Sequence, residues 1–157
     1  MSSSEADRLV INPASIDEDH IHVVAGIVWN TENPSRFLIA QRQKGKHLQD
    51  YWEFPGGKME ADETPLEALC RELEEEINIT PTRASPYMRV YCRYPERNVM
   101  LDTWVVDAYS GEVEAAEGQS LQWIGLDEVD CYRFPAADIP ILEAIRNSVK
   151  AGTRCFP

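Results

Sequence analysis

Residues 57–79 read GKMEADETPLEALCRELEEEINI, and the middle of this stretch carries the local signals of a helix over 65–77. Thr64 stands where an N-cap is wanted, Pro65 suits the first helical position, and Glu67 completes a T-x-x-E capping box. At about 100° per residue, Leu66, Leu69, Cys70, Leu73 and Ile77 fall on one stripe, the expected core face. Asn78 follows, a residue that tolerates the left-handed conformation wanted at a helix end.

Glu72, Glu75 and Glu76 are expected on a different face, at i, i+3 and i+4, so their carboxylates converge. Glu67 and Glu74 point elsewhere and read as solvated charges. Three converging carboxylates repel one another. They also sit in the last turns of the helix, where the macrodipole disfavours negative charge by roughly 0.3–1 kcal/mol each. A hard cation among them turns that arrangement from a cost into a binding site. Arg71, one turn before Glu75, can pair with it and hold its orientation.

Outward from this helix the pattern is mixed α+β. Residues 21–29 (IHVVAGIVW) and 36–41 (RFLIAQ) read as strands joined by a turn at Asn30–Ser35. Trp52-Glu53-Phe54 leads into Pro55-Gly56-Gly57, which reads as a breaker. Further strands are expected at 87–94, 99–109 and 121–125, with a Gly/Glu/Ala-rich loop at 111–119. A last helix is expected over 140–149, with Ile141, Leu142, Ile145 and Val149 as its stripe. The 157 residues suit one domain, expected over 20–157. Residues 1–19 are polar and acidic, and are expected to form a partly ordered extension rather than a secretory signal.

The net charge is −12, so long nucleic acid is an unsuitable partner, its binding depending on phosphate neutralisation. A small anionic substrate remains compatible, through a local cationic pocket or a bound metal. No run is long and apolar enough to span a bilayer. Cys70, Cys92, Cys131 and Cys155 are scattered, and His20, His22 and His47 show no ligand spacing. Structural zinc is therefore not expected, and a reduced cytoplasmic setting is the simplest expectation.

Taken together, Gly57, Glu63, Arg71-Glu72-Leu73, Glu75-Glu76 and Asn78-Ile79 resemble the Nudix box, G-x5-E-x7-R-E-U-x-E-E-x-G-U with U apolar. One position departs: Asn78 replaces the final glycine, and Asn is the next-best residue for a left-handed cap. The resemblance extends from about Val23 to Ile145. It points to the MutT-like branch, which removes oxidised nucleotides such as 8-oxo-dGTP, and is similar also to the NudG-like CTP pyrophosphohydrolases. It implies a mixed sheet sandwiched between helices, and Mg²⁺- or Mn²⁺-dependent hydrolysis of a nucleoside triphosphate to monophosphate and pyrophosphate.

By the same resemblance Glu72, Glu75 and Glu76 are metal-binding carboxylates, and the Gly57 carbonyl is a further ligand. Glu117, in Ala116-Glu117-Gly118-Gln119, matches a loop glutamate that binds metal or acts as base. Glu63 is expected to support the loop. Either Glu75 or Glu117 could accept a proton from the attacking water. Arg42 and Lys58 are the expected phosphate contacts, since the cluster Arg42-Gln43-Lys44-Gly45-Lys46 stands out against an acidic whole. Phe54 could line the base pocket or belong to the core. Arg97 matches a position near the nucleotide.

Asp138, in Ala136-Ala137-Asp138-Ile139-Pro140, matches the position that reads the base, although it could instead cap the helix that follows. An ionised Asp only accepts hydrogen bonds, whereas a protonated one also donates, so both an oxidised purine and a pyrimidine fit. Two other classes compete: hydrolysis of a nucleoside diphosphate derivative, and a non-catalytic binding module. The second would usually have lost box carboxylates, and none is lost here. Oligomeric state and the number of metals are not encoded in any recognisable pattern.

Overall fold

The computed structural model describes residues 19–46, 48–95 and 97–152. The expected N-terminal extension, apart from Asp19, lies outside them, as do His47 and Cys155. The organising strand is β1 (Ile21–Val28). It runs parallel to β6 (Arg97–Ser110), with Ile21 opposite Val99 and Val28 opposite Val106, and antiparallel to β4 (Gly56–Lys58). On the far side of β6 lies the antiparallel β5 (Thr80–Tyr94), completing a mixed sheet in the order β4-β1-β6-β5. A second, antiparallel sheet places β2 (Phe37–Gln41) between β3 (Trp52–Glu53) and β7 (Leu121–Ile124).

Alternation along β1 gives the first sheet two apolar faces. Val24 and Val28 meet Leu69, Leu73 and Ile77 of helix α1 (Pro65–Ile77) on one face. Ala25 and Ile27 share the opposite core with Ile141, Leu142 and Ile145 of α2 (Ile139–Lys150). The mixed sheet is therefore sandwiched between helices, as expected. Leu69, Leu73 and Ile77 are fully buried, worth about 1.5–3 kcal/mol each relative to exposure. This burial fixes α1, and with it the carboxylates on its flank.

The helix stripes differ at their ends from the periodic expectation. Leu66 and Val149 are 42% and 45% exposed, because each lies in a terminal turn, and Ala68 joins the α1 core face instead. Glu76 also departs: at about 100° per residue it falls within roughly 20° of Leu69, at the edge of the core face rather than clear of it.

Pro55-Gly56-Gly57 is not simply a breaker, since Gly56–Lys58 form β4 against Val23–Ala25. Strand β5 begins at Thr80, well before the expected 87, and β6 at Arg97 rather than 99. The early part of β5 escapes recognition because Pro81, Pro86 and three register shifts interrupt its alternation. Such interruptions are tolerated on an edge strand. Among the described residues, no helix is long and apolar enough to cross a membrane.

Candidate active site

The start of α1 is held as its sequence implies. The Thr64 hydroxyl accepts from Glu67 N–H at 3.2 Å, and Thr64 N–H donates to the Glu67 carboxylate at 2.9 Å. At the other end Asn78 takes the left-handed conformation, φ 64°, and its N–H donates to Glu74 C=O. Between these caps, Arg71 gathers the loop before the helix. Its Nε and Nη2 donate to the two oxygens of Glu63 at 2.6 and 3.0 Å, and Nη2 also reaches Lys58 C=O at 3.1 Å. Nη1 donates to Glu72 at 3.1 Å and to Glu75 at 3.3 Å. The expected Arg71–Glu75 pair is present, but the bidentate Arg71–Glu63 pair is the stronger geometry. The bond from Arg71 holds the Glu63 carboxyl below its ordinary pKa. Glu63 thus ties the loop to the helix, the supporting role expected of it.

Gly57 lies against α1 so closely that a Cβ there would collide with the Glu72 carboxylate. Glu76 Oε2 accepts from Gly56 N–H at 3.1 Å. Burial, followed by the charges of Glu72, Glu53 and Glu117, pushes the Glu76 carboxyl up to about 9. Burial likewise raises Glu72, against the opposing effect of Arg71. These groups are short of positive charge, and their donors are all oxygen, which suits a hard divalent cation. Among the described residues, no group of three or more His, Cys, Asp or Glu side chains is arranged to hold a metal ion by itself. A hard cation such as Mg²⁺ does not require one, because it keeps waters and takes only one or two carboxylates together with substrate phosphates. One or two of Glu72, Glu75, Glu76 and Glu117, with the Gly57 carbonyl, could hold a cation in that open manner.

A cavity of about 670 Å³ opens beside this group. Every residue expected at the site lines it: Gly57, Lys58, Arg71, Glu72, Glu75, Glu76 and Glu117, and also Arg42, Phe54, Arg97 and Asp138. Arg42 Nη1 is paired with Glu53 at 2.6 Å, so this cation arrives already engaged by a carboxylate. Phe54 is both core and cavity wall, 3% exposed and 5.9 Å from the Phe37 ring. Lys58 and Arg97 are exposed at the rim.

Asp138 is 4% exposed and makes no capping hydrogen bond to α2, so the capping alternative is not realised. Burial, with the Glu53 charge added and Arg42 opposing, raises its carboxyl well above the ordinary range. Burial thus favours the protonated form of Asp138, a form that can donate as well as accept.

Glu53 and Tyr94 also line the cavity, although nothing in the sequence pattern singles them out. Glu53 sits in a two-residue strand beside a breaker, where periodicity has no meaning. Its position immediately before Phe54-Pro55-Gly56-Gly57 was the one available signal. Burial raises the Glu53 carboxyl, partly offset by Arg42, and also raises the Tyr94 hydroxyl.

Known proteins resemble this chain over most of its length. An 8-oxo-dGTP diphosphatase of Escherichia coli is 34% identical over 126 residues, covering 80% of this chain and 96% of its own. A CTP pyrophosphohydrolase of Escherichia coli is 39% identical over 125 residues, covering 79% and 90%. The solution structure of the Escherichia coli ORF135 protein superposes with a TM-score of 0.75 at 34% identity, covering 88% of this chain and 97% of the other. The NUDIX domain model matches residues 20–145. With the box in place on α1 and most of the chain matched, this protein belongs to the NUDIX domain family and is a Nudix hydrolase.

Proposed function

We propose that the chain is a nucleoside triphosphate pyrophosphohydrolase, yielding a monophosphate and pyrophosphate, with Mg²⁺ (or Mn²⁺) as cofactor. Its proposed role is a MutT-like sanitiser of oxidised nucleotides such as 8-oxo-dGTP. The observation that carries this is the group of Glu72, Glu76 and Glu117 near Gly57, short of positive charge, lining one cavity together with the buried Asp138.

A divalent cation bound there would neutralise phosphate charge and lower the pKa of the attacking water. The chain's own residues do the rest. Glu72, Glu75, Glu76, Glu117 and the Gly57 carbonyl would supply its ligands, one or two carboxylates to each cation. Arg71, enclosed by carboxylates, acts through them as a positioning group. Glu75 or Glu117 accepts the proton of water. Lys58, Arg97 and Arg42 face the phosphates, and Phe54 flanks the base.

A protonated Asp138 suits an edge with a donor beside an acceptor. The N7–H and O6 of 8-oxoguanine form such an edge, whereas unoxidised guanine offers two acceptors there. Cytosine's N4 amine and N3 form the same pair, which is the specific reason to keep CTP or dCTP as the second reading. A cytoplasmic setting is supported by Cys70, Cys92 and Cys131, all free thiols. The deciding experiment is a pyrophosphate-release screen over normal and oxidised dNTPs and rNTPs, compared by kcat/KM. A preference for dGTP over both 8-oxo-dGTP and CTP would remove the Asp138 argument.

A further inference from the structure

The loop that carries Glu117 is fastened to the C-terminal end of α1. Ala116 N–H donates to Glu76 C=O at 3.0 Å, and Glu114 N–H donates to Ile77 C=O at 3.1 Å. These are helix-terminal carbonyls with no partner inside the helix, so the loop satisfies them. The chain then turns at Gly118, φ 77°, and presents Gln119 back toward the same helix end.

Gln119 is buried, 8% exposed, and both ends of its amide are engaged. Oε1 accepts from Glu117 N–H at 3.2 Å, and Nε2 donates to Glu76 C=O at 3.1 Å. A backbone N–H can only donate and a carbonyl only accept, so the amide fits in one orientation. On the outer side, Gln43 Nε2 donates to Glu117 C=O at 2.8 Å, at an exposed position where such a bond stabilises little. Gln119 is thus the inner bridge between the backbones of two carboxylate-bearing residues that come from elements far apart in sequence.

We propose that Gln119 is a positioning residue that holds the Glu117 carboxylate against the Glu72–Glu76 face of α1. This rests on the reading of Glu117 as a cation- or water-contacting group. Gln119 touches neither cation nor substrate, and acts by fixing where the backbone of Glu117 lies relative to that of Glu76.

The test is Gln119→Met, which keeps the side-chain length and removes both hydrogen bonds, with Gln119→Asn as a milder variant should the first fold poorly. Hydrogen exchange at the Glu117 amide should accelerate in Q119M while the core amides of α1 stay protected. Mn²⁺ affinity, measured by calorimetry without nucleotide, and kcat should fall about 10- to 100-fold, as for other residues that orient metal ligands. KM for the nucleotide should hold. In a Glu117→Gln background, Q119M should add little further loss. A full additional loss in that background overturns the proposal, as does a drop in Tm with metal affinity and kcat unchanged. An impaired E117Q beside a normal Q119M removes this inference alone. An E117Q equal to wild type removes the reading of Glu117 and this inference with it.

Discussion

Gly57 on β4 lies flush against the carboxylate of Glu72 on α1, so that a Cβ on Gly57 would occupy the space of the carboxylate carbon and its oxygens. The close approach depends on a bare backbone, and Gly57→Ala must move Glu72 outward. Misplacement of a reacting group by an ångström costs about 100-fold in rate. That loss is expected in kcat/KM for G57A, with the circular dichroism spectrum retained. An unchanged metal dependence in G57A would argue against Glu72 as a ligand.

Arg71 joins Glu63 to Glu72 and Glu75, so loss of the Glu63 pair should be felt at the metal face. Glu63→Gln is expected to lower activity about tenfold through orientation alone. Arg71→Lys should lose more, because a point charge cannot reproduce the bidentate fork. Kinetics of both variants as a function of Mg²⁺ concentration check this. Similar losses in E63Q and R71K, without any shift in Mg²⁺ dependence, would count against it.

Glu76 has a folded-state pKa near 9, above the ordinary 4.5. A raised carboxyl contributes stability that is complete below about pH 4.5 and is lost as pH rises toward 9. Metal-free Glu76→Gln should therefore melt above wild type at pH 7–9, by roughly 2–4 °C per kcal/mol relieved, with the gap closing near pH 4.5. Added Mg²⁺ should stabilise wild type and leave E76Q almost unmoved. Melting curves across pH, with and without Mg²⁺, decide the matter. A gap that widens toward acid would reverse the sign and refute the assignment.

Burial raises the Asp138 carboxyl and favours its protonated form, whose donor and acceptor an amide in its place keeps. Asp138→Asn should retain most of the activity on the preferred triphosphate. Asp138→Ala should lose about 1–3 kcal/mol of discrimination between 8-oxo-dGTP and dGTP, one base-reading contact's worth. Paired kcat/KM values for the two substrates measure it. A D138N variant as impaired as D138A would mean the ionised form is the working one.

Legibility in the sequence differs from element to element. Helix α1 was legible to the residue, because caps, Pro65 and periodicity agree at one place. The box carboxylates were legible as a misfit with helix electrostatics. Glu53 was not, because a two-residue strand has no pattern and its significance lies in facing Arg42, Glu76 and Asp138. Gln119 was hidden for a related reason: both its partners are backbone groups, which no side-chain motif records. The raised carboxyl of Asp138 follows from burial, which only the packed fold reveals.

The central claim is metal-dependent release of pyrophosphate. Its most direct measurement is phosphorus NMR of the products formed from 8-oxo-dGTP and CTP, with Mg²⁺ and with chelator, in wild type and Glu75→Gln. Monophosphate and pyrophosphate are expected from wild type with Mg²⁺, and almost no turnover with chelator or in E75Q. Orthophosphate with a diphosphate as products, or equal turnover in E75Q or under chelation, would contradict it.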